Sequence, residues 1–183
     1  MNQDIIVTLF KYYSKFVSKE VLRKMFKQVS RKSVGYDEVV ADILSQNEDA
    51  VIPDIDAYIY SANERFVSEK IPNSDGTILF VEYGAFSYDP TSANGISEKL
   101  AVHIACPYTM TNNDNMNEAL IMNRMYAILC SILDAMQADQ SNLNFCGTTK
   151  LVNFPVEIVS IDPSTLYDRI GFMAMFDYST TDL

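Results

Sequence analysis

The sequence predicts an α+β fold, an antiparallel or mixed sheet with a helix packed on one face, preceded by an N-terminal helical region. Three observations predict it. Up to about residue 45, apolar side chains recur at helical spacing. Beyond Asp54 the texture changes to β-branched and aromatic runs bounded by turn residues. A single helix-like stretch, from about Asn113 to residue 138, interrupts those runs, so strands and helices do not alternate as in a doubly wound parallel sheet. The chain divides accordingly into a basic helical region, 1–46, and an α+β domain, 47–183.

Residues 3–31 read as helix. Ile5, Ile6, Leu9, Phe10, Tyr13, Phe16 and Val17 recur at three- and four-residue spacing, and Val21, Leu22, Met25, Phe26 and Val29 continue the pattern. Ser18 followed by Glu20 is a helix-start signal, so a break there is an open alternative to one long helix. Gly35 ends the region, and Asp37–Ser45 reads as a shorter helix. Asn47–Asp54 is acidic, contains Pro53 and reads as a linker.

Asp56–Ser61 is a short strand. Thr77–Tyr88 is a longer one, bent at Gly84, and the turn Asn73–Gly76 precedes it. Asp89–Gly95 is a polar loop. Lys99–Cys106 alternates, with Leu100, Val102 and Ile104 on one face and Ala101, His103 and Ala105 on the other. The next helix is capped by Asn113 or Asp114, with a core stripe of Ala119, Met122, Tyr126, Leu129, Leu133 and Met136. Leu151–Ile161 and Arg169–Tyr178 read as antiparallel partners across Asp162-Pro163-Ser164.

Composition sets further limits. The 183 residues suit one domain, alone or with a helical appendage. Hydrophobic residues make up 48% and charged residues 21%, which excludes a disordered or collagen-like chain. No uninterrupted apolar run approaches the about 18 residues of a membrane span, and the first residues lack a signal-peptide pattern. No membrane partner is expected. Cys106, Cys130 and Cys146 are odd in number and form no C-x-x-C pair, so reduced core thiols are expected rather than a disulfide framework or metal cluster.

Net charge is −10, the wrong sign for a protein that coats nucleic acid. That average hides a division. Residues 1–32 carry a net +6 and the remaining 151 a net −16. Opposite fields in one chain favour head-to-tail contact between copies, or a basic arm held by an acidic partner. A solvated basic helix face is the plain alternative.

No constellation supports catalysis. His103 is the one histidine, and Cys106, three residues on, points to the opposite face of a regular strand. Phosphate-binding glycine motifs are missing. Thr111–Asn115 resembles a calcium loop only in composition and is better explained as a helix cap. Asp54 and Asp56 read as solvated linker acids rather than a catalytic pair. The expected catalytic, cofactor and metal sets are therefore empty.

The order of elements from Thr77 to Tyr178 resembles the tail terminator family of tailed bacteriophages and the related head-to-tail joining proteins of the neck. FVEYGAFSY, EKLAVHIACPYT and NEALIMNRMYAILCSILDAM carry the resemblance, closed by LVNFPVEIVSID and DRIGFMAMFDYS. It covers little more than half the chain, and the basic helical region lies outside it. The resemblance implies a non-enzymatic virion protein, assembled in the host cytoplasm into a ring, sixfold or alternatively twelvefold. Its partners would be copies of itself and adjacent neck, portal-side or tail-tube proteins, with DNA as passing cargo. Loops at Asn73–Gly76, Asp89–Gly95 and Asn112–Asn117 would project from one sheet edge. Two other readings stand beside it: an interaction module whose basic helix docks on an acidic partner, and a small enzyme without a recognisable motif.

Lys11, Lys15, Lys19, Arg23, Lys27 and Arg31, each four residues apart, are the expected subunit-interface residues. On one continuous helix they form a row drifting by about 40° per step. Such like-charge pairs cost an isolated helix roughly 0.2–0.5 kcal/mol each. Acidic groups of a neighbouring copy or ring would offset that cost; DNA phosphate is the second candidate.

Overall fold

A computed structural model of the chain describes residues 5–27, 31–45, 51–62, 76–88, 96–108, 114–142 and 150–180. The turn at 73–75, the loop 89–95, the stretch 109–113 and Cys146 lie outside these residues. Ten elements follow in order: α1 (Ile5–Ser14), α2 (Lys19–Phe26), α3 (Tyr36–Ser45), β1 (Ala57–Ser61), β2 (Ile78–Tyr88), β3 (Ile96–Pro107), α4 (Asn115–Ser141), β4 (Lys150–Val152), β5 (Glu157–Ser160) and β6 (Arg169–Thr180). The α+β class and the helical N-terminal region are as the sequence predicts.

The N-terminal helix breaks at Ser18. The Ser14 hydroxyl donates to the Lys11 carbonyl as α1 ends, and Ser18 Oγ accepts from the Val21 amide to start α2. A side-chain oxygen that satisfies an otherwise unpaired helix donor is worth about 1 kcal/mol, enough to favour two short helices over one long one. Asp114 caps α4 in the same way, accepting from the Asn117 amide at 2.8 Å.

The sheet has six strands in the order β1-β2-β3-β6-β4, with β5 also on β6. β1 pairs with β2 in parallel and every other pairing is antiparallel, so the sheet is mixed. Gly84 is a bulge: Tyr83 lies opposite Leu100 and Ala85 opposite Lys99, which leaves Gly84 unmatched. The expected strand 151–161 is split into β4 and β5 around Pro155, which has no N–H for the ladder. Both pieces still run antiparallel to β6.

Strand alternation gives the sheet two different faces. On one, Leu79, Val81, Val102, Ile104, Ala174 and Phe176 meet the four described helices. Leu9 and Tyr13 of α1 and Phe16 just after it are fully buried there, each stabilising the fold by roughly 1.5–3 kcal/mol. Tyr58 Oη donates to the Phe10 carbonyl and Tyr60 Oη to that of Ile6, fastening α1 along β1. The boundary at residue 46 thus separates elements along the chain but not cores. Ile52 and Ile55, in the stretch read as a linker, are buried in the same cluster. The other face carries a smaller cluster, Ile59, Ile78, Phe80, Ala105, Ile161 and Leu166.

The core stripe of α4 differs from the expected one. Met125, Ile128, Leu129, Ile132, Leu133 and Met136 are buried, whereas Ala119 is exposed and Tyr126 is 45% exposed, its ring edge-on to Phe172. The helix is apolar on nearly every side, so several stripes compete and contact with β3 and β6 selects one. By length and composition alone α4 is apolar enough to cross a membrane, and a third of its most apolar window is buried in the fold.

Gly171 shows how tightly β3 and β6 approach. A Cβ there would run into the Ile104 carbonyl and lie 2.8 Å from Ala105 Cα. Gly171→Ala is expected to cost on the order of 3 kcal/mol, because backbone rather than a flexible side chain must give way. Thermal unfolding checks this; a melting temperature within about 2 °C of the parent contradicts the close approach.

Candidate functional site

The six predicted interface residues do not form one row, because α1 and α2 are separate helices. Lys11 Nζ pairs with Asp42 at 2.6 Å, tying α1 to α3. Lys15 Nζ pairs with Asp139 near the end of α4, and Tyr12 Oη donates to the same carboxylate oxygen at 2.7 Å. The Lys15 ammonium also sits 4.2 Å from the Tyr12 ring centroid, a cation–π contact. With side chains only 27% and 24% exposed, Lys15 and Asp139 belong to the packing of α1 on α4. The continuous stripe is thereby corrected: its first two members are used inside the chain.

Lys24 and Lys32 are also paired, with Glu20 at 2.8 Å and Asp37 at 2.6 Å. Lys24 holds the Glu20 carboxyl below its ordinary range. Lys19, Arg23, Lys27 and Arg31 have no ion-pair partner among the described residues. Lys19, Arg23 and Lys27 follow one another at four-residue steps along α2 and its C-cap, and Leu22 of α2 faces the core.

The opposite face of the sheet holds a second feature that sequence reasoning missed. Across β2, β3, β6 and β5 the register sets Glu82, Ala101, Met175 and Glu157 in one row. Lys99 and Asp177 oppose each other two residues along. Small side chains at Gly84 and Ala101 leave an open groove of about 410 Å³ edged by Glu82, Glu157, Asp177 and Lys99. Each residue alternates with the core in its own strand, but only the pairing register, invisible in one sequence, brings the four together.

His103 lies beside that row and is 1% exposed. Its ring stacks on Phe80, centroids 4.6 Å apart, and its Nε2 faces Glu82 Oε2 at 3.6 Å, too far for a hydrogen bond. Among the described residues this nitrogen is the buried side-chain polar atom left without a partner. Cys106 is half-buried toward the helix side, and burial pushes its thiol pKa up, which suppresses the nucleophilic thiolate. Cys130 is likewise a free thiol.

The remaining acids considered in the sequence have separate structural partners. Asp54 accepts from Arg124 at 3.0 Å and Asp56 from the Thr77 amide at 2.8 Å. Among the described residues no group of three His, Cys, Asp or Glu side chains is placed to hold a metal ion. No Ser, Thr or Cys lines the groove. Glu82 and Glu157 stand three strand spacings apart, about 14 Å at the backbone, too wide for carboxylates acting as a pair on one bond.

Comparison with known proteins returned no match: no protein-family model, no curated protein and no solved structure is significantly similar to this chain.

The two classes of lysine separate experimentally. Lys15→Glu sets a carboxylate against Asp139 and Tyr12 and is expected to cost about 1–3 kcal/mol of stability. Lys19→Glu, at the start of α2 and without a partner, is expected to stay within about 0.5 kcal/mol of the parent. Urea unfolding of both variants checks this; equal losses would mean that Lys15 is not held in the fold.

Proposed function

We propose that this chain is a structural virion protein of a tailed bacteriophage, a tail terminator or head-to-tail joining component that forms a ring around the DNA channel. The observation that carries this reading is the placement of charge. Lys19, Arg23 and Lys27, without an ion-pair partner among the described residues, lie on the helix-covered side of the sheet, and the acid-edged groove lies on the other. Groups on opposite faces cannot meet within one chain. They can meet between copies in a heterologous contact, the kind that closes into a ring where its rotation divides a full turn.

Two further observations support assembly. Met116 and Leu120, near the start of α4, are 68% and 61% exposed, apolar surface that a partner would cover. The groove provides the concavity that an enzyme reading requires, yet the histidine beside it is sealed from solvent. The resemblance in element order supplies the virion context. Adjoining neck, portal-side or tail-tube proteins would be the further partners, and DNA would pass through the channel without being held by its acidic surroundings. The cations of α2 also suit a second reading, an interaction module docking on an acidic protein.

Mass photometry, with imaging of purified particles, tests the proposal. A closed ring is expected, of six copies or of twelve as the alternative, weakened by added salt as exposed charge pairs are screened. A protein that stays monomeric and is absent from any larger particle would contradict it.

A further inference from the structure

We infer that the acid-edged groove, on the sheet face opposite the four described helices, is the docking site for helix α2 of a second copy of this chain. The inference rests on the ring reading and deepens it by naming both surfaces of the contact.

Charge is the first argument. Glu82, Glu157 and Asp177 edge the groove, and Lys99 offsets one of them, which leaves a net charge of −2. Phosphate is repelled by such a surface, whereas a row of ammonium and guanidinium groups is attracted to it. Lys19, Arg23 and Lys27 are such a row, and they have no counter-charge among the described residues.

Dimensions agree. Residues four apart on a helix rise by about 6 Å, so the three cations span about 12 Å. The row from Glu82 to Glu157 crosses three strand spacings, about 14 Å. A helix laid across the strands therefore brings its end cations near the two end carboxylates.

The groove wall provides a second observation, independent of net charge. His103 Nε2 is buried, unpartnered and directed at Glu82 Oε2 from 3.6 Å. Glu82 itself, about 29% exposed, has no hydrogen-bond donor among the described residues. At that distance the buried nitrogen does not occupy the Glu82 carboxylate as a donor, so a cation entering the groove can bond it directly. The small side chains at Gly84 and Ala101 leave room for it.

A charge-swap experiment on the full chain tests the contact. Lys19→Glu with Arg23→Glu is one variant, Glu157→Lys with Asp177→Lys is the second, and the third combines all four changes. Sedimentation velocity at low salt reads the concentration for half-assembly, with thermal melting as the folding control. Each double variant is expected to raise that concentration by at least about tenfold, and the combined variant to return to within about threefold of the parent. Should a reversed variant fail to fold, Lys19→Gln with Arg23→Gln and Glu157→Gln with Asp177→Gln are compared instead. Each is then expected to assemble more weakly than the parent, with a flatter salt dependence. Rings that form regardless of the groove substitutions overturn this contact while leaving the ring reading intact. So do double variants that each weaken assembly but do not rescue one another. A parent protein that never assembles overturns both.

Discussion

One constraint organises the described residues: a six-stranded sheet with one face closed by helices from both halves of the chain. α1 comes from the N-terminus and α4 from the second half, and the contact between them is apolar with a polar clasp. Tyr13 and Phe16 fill the interior while Lys15 and Tyr12 converge on Asp139. Because hydrophobic burial is concentrated on that side, the other sheet face is free to carry ionisable side chains beyond its small apolar patch. Helices on one side and a carboxylate-edged groove on the other give the two faces different chemistry.

That two-sidedness gives physical content to a charge division visible in composition alone. The excess of positive charge in residues 1–32 is not one uniform surface. Half of its eight basic residues are consumed by pairs with Asp42, Asp139, Glu20 and Asp37. Most of these pairs are exposed and contribute little to stability. Among the described residues they confine the unpaired positive charge of this region to Lys19, Arg23, Lys27 and Arg31. A localised patch specifies the orientation of a neighbour better than a diffuse one, since binding out of register sets like charges against each other.

Local chemistry was legible in the sequence and long-range registration was not. Ser18 and Asp114 announced their helices because capping depends on residues three apart in the chain. Gly84 marked its bulge, and the alternation from Leu100 to Ala105 sorted the two faces of β3 correctly. The parallel pairing of β1 with β2 carried no local signal. Neither did the face that α4 turns to the sheet, since its apolar residues extend around the helix and tertiary contact chooses among them. Lys15 looked like a member of a surface row; its partner lies 124 residues away. The groove was hidden for the same reason, since its residues come from four strands and become neighbours only through pairing.

Zero-length carbodiimide cross-linking of the assembled protein, followed by mass spectrometry of the linked peptides, tests the central claim most directly. It joins an ammonium to a carboxylate only where the two touch. Covalent dimers and larger species are predicted to contain Lys19 or Lys27 joined to Glu82, Glu157 or Asp177, alongside the links Lys11–Asp42 and Lys15–Asp139 within one chain. Multimers whose links between copies avoid the groove, or a sample that yields only links within one chain, would contradict an assembly built by α2 of one copy on the open sheet face of the next.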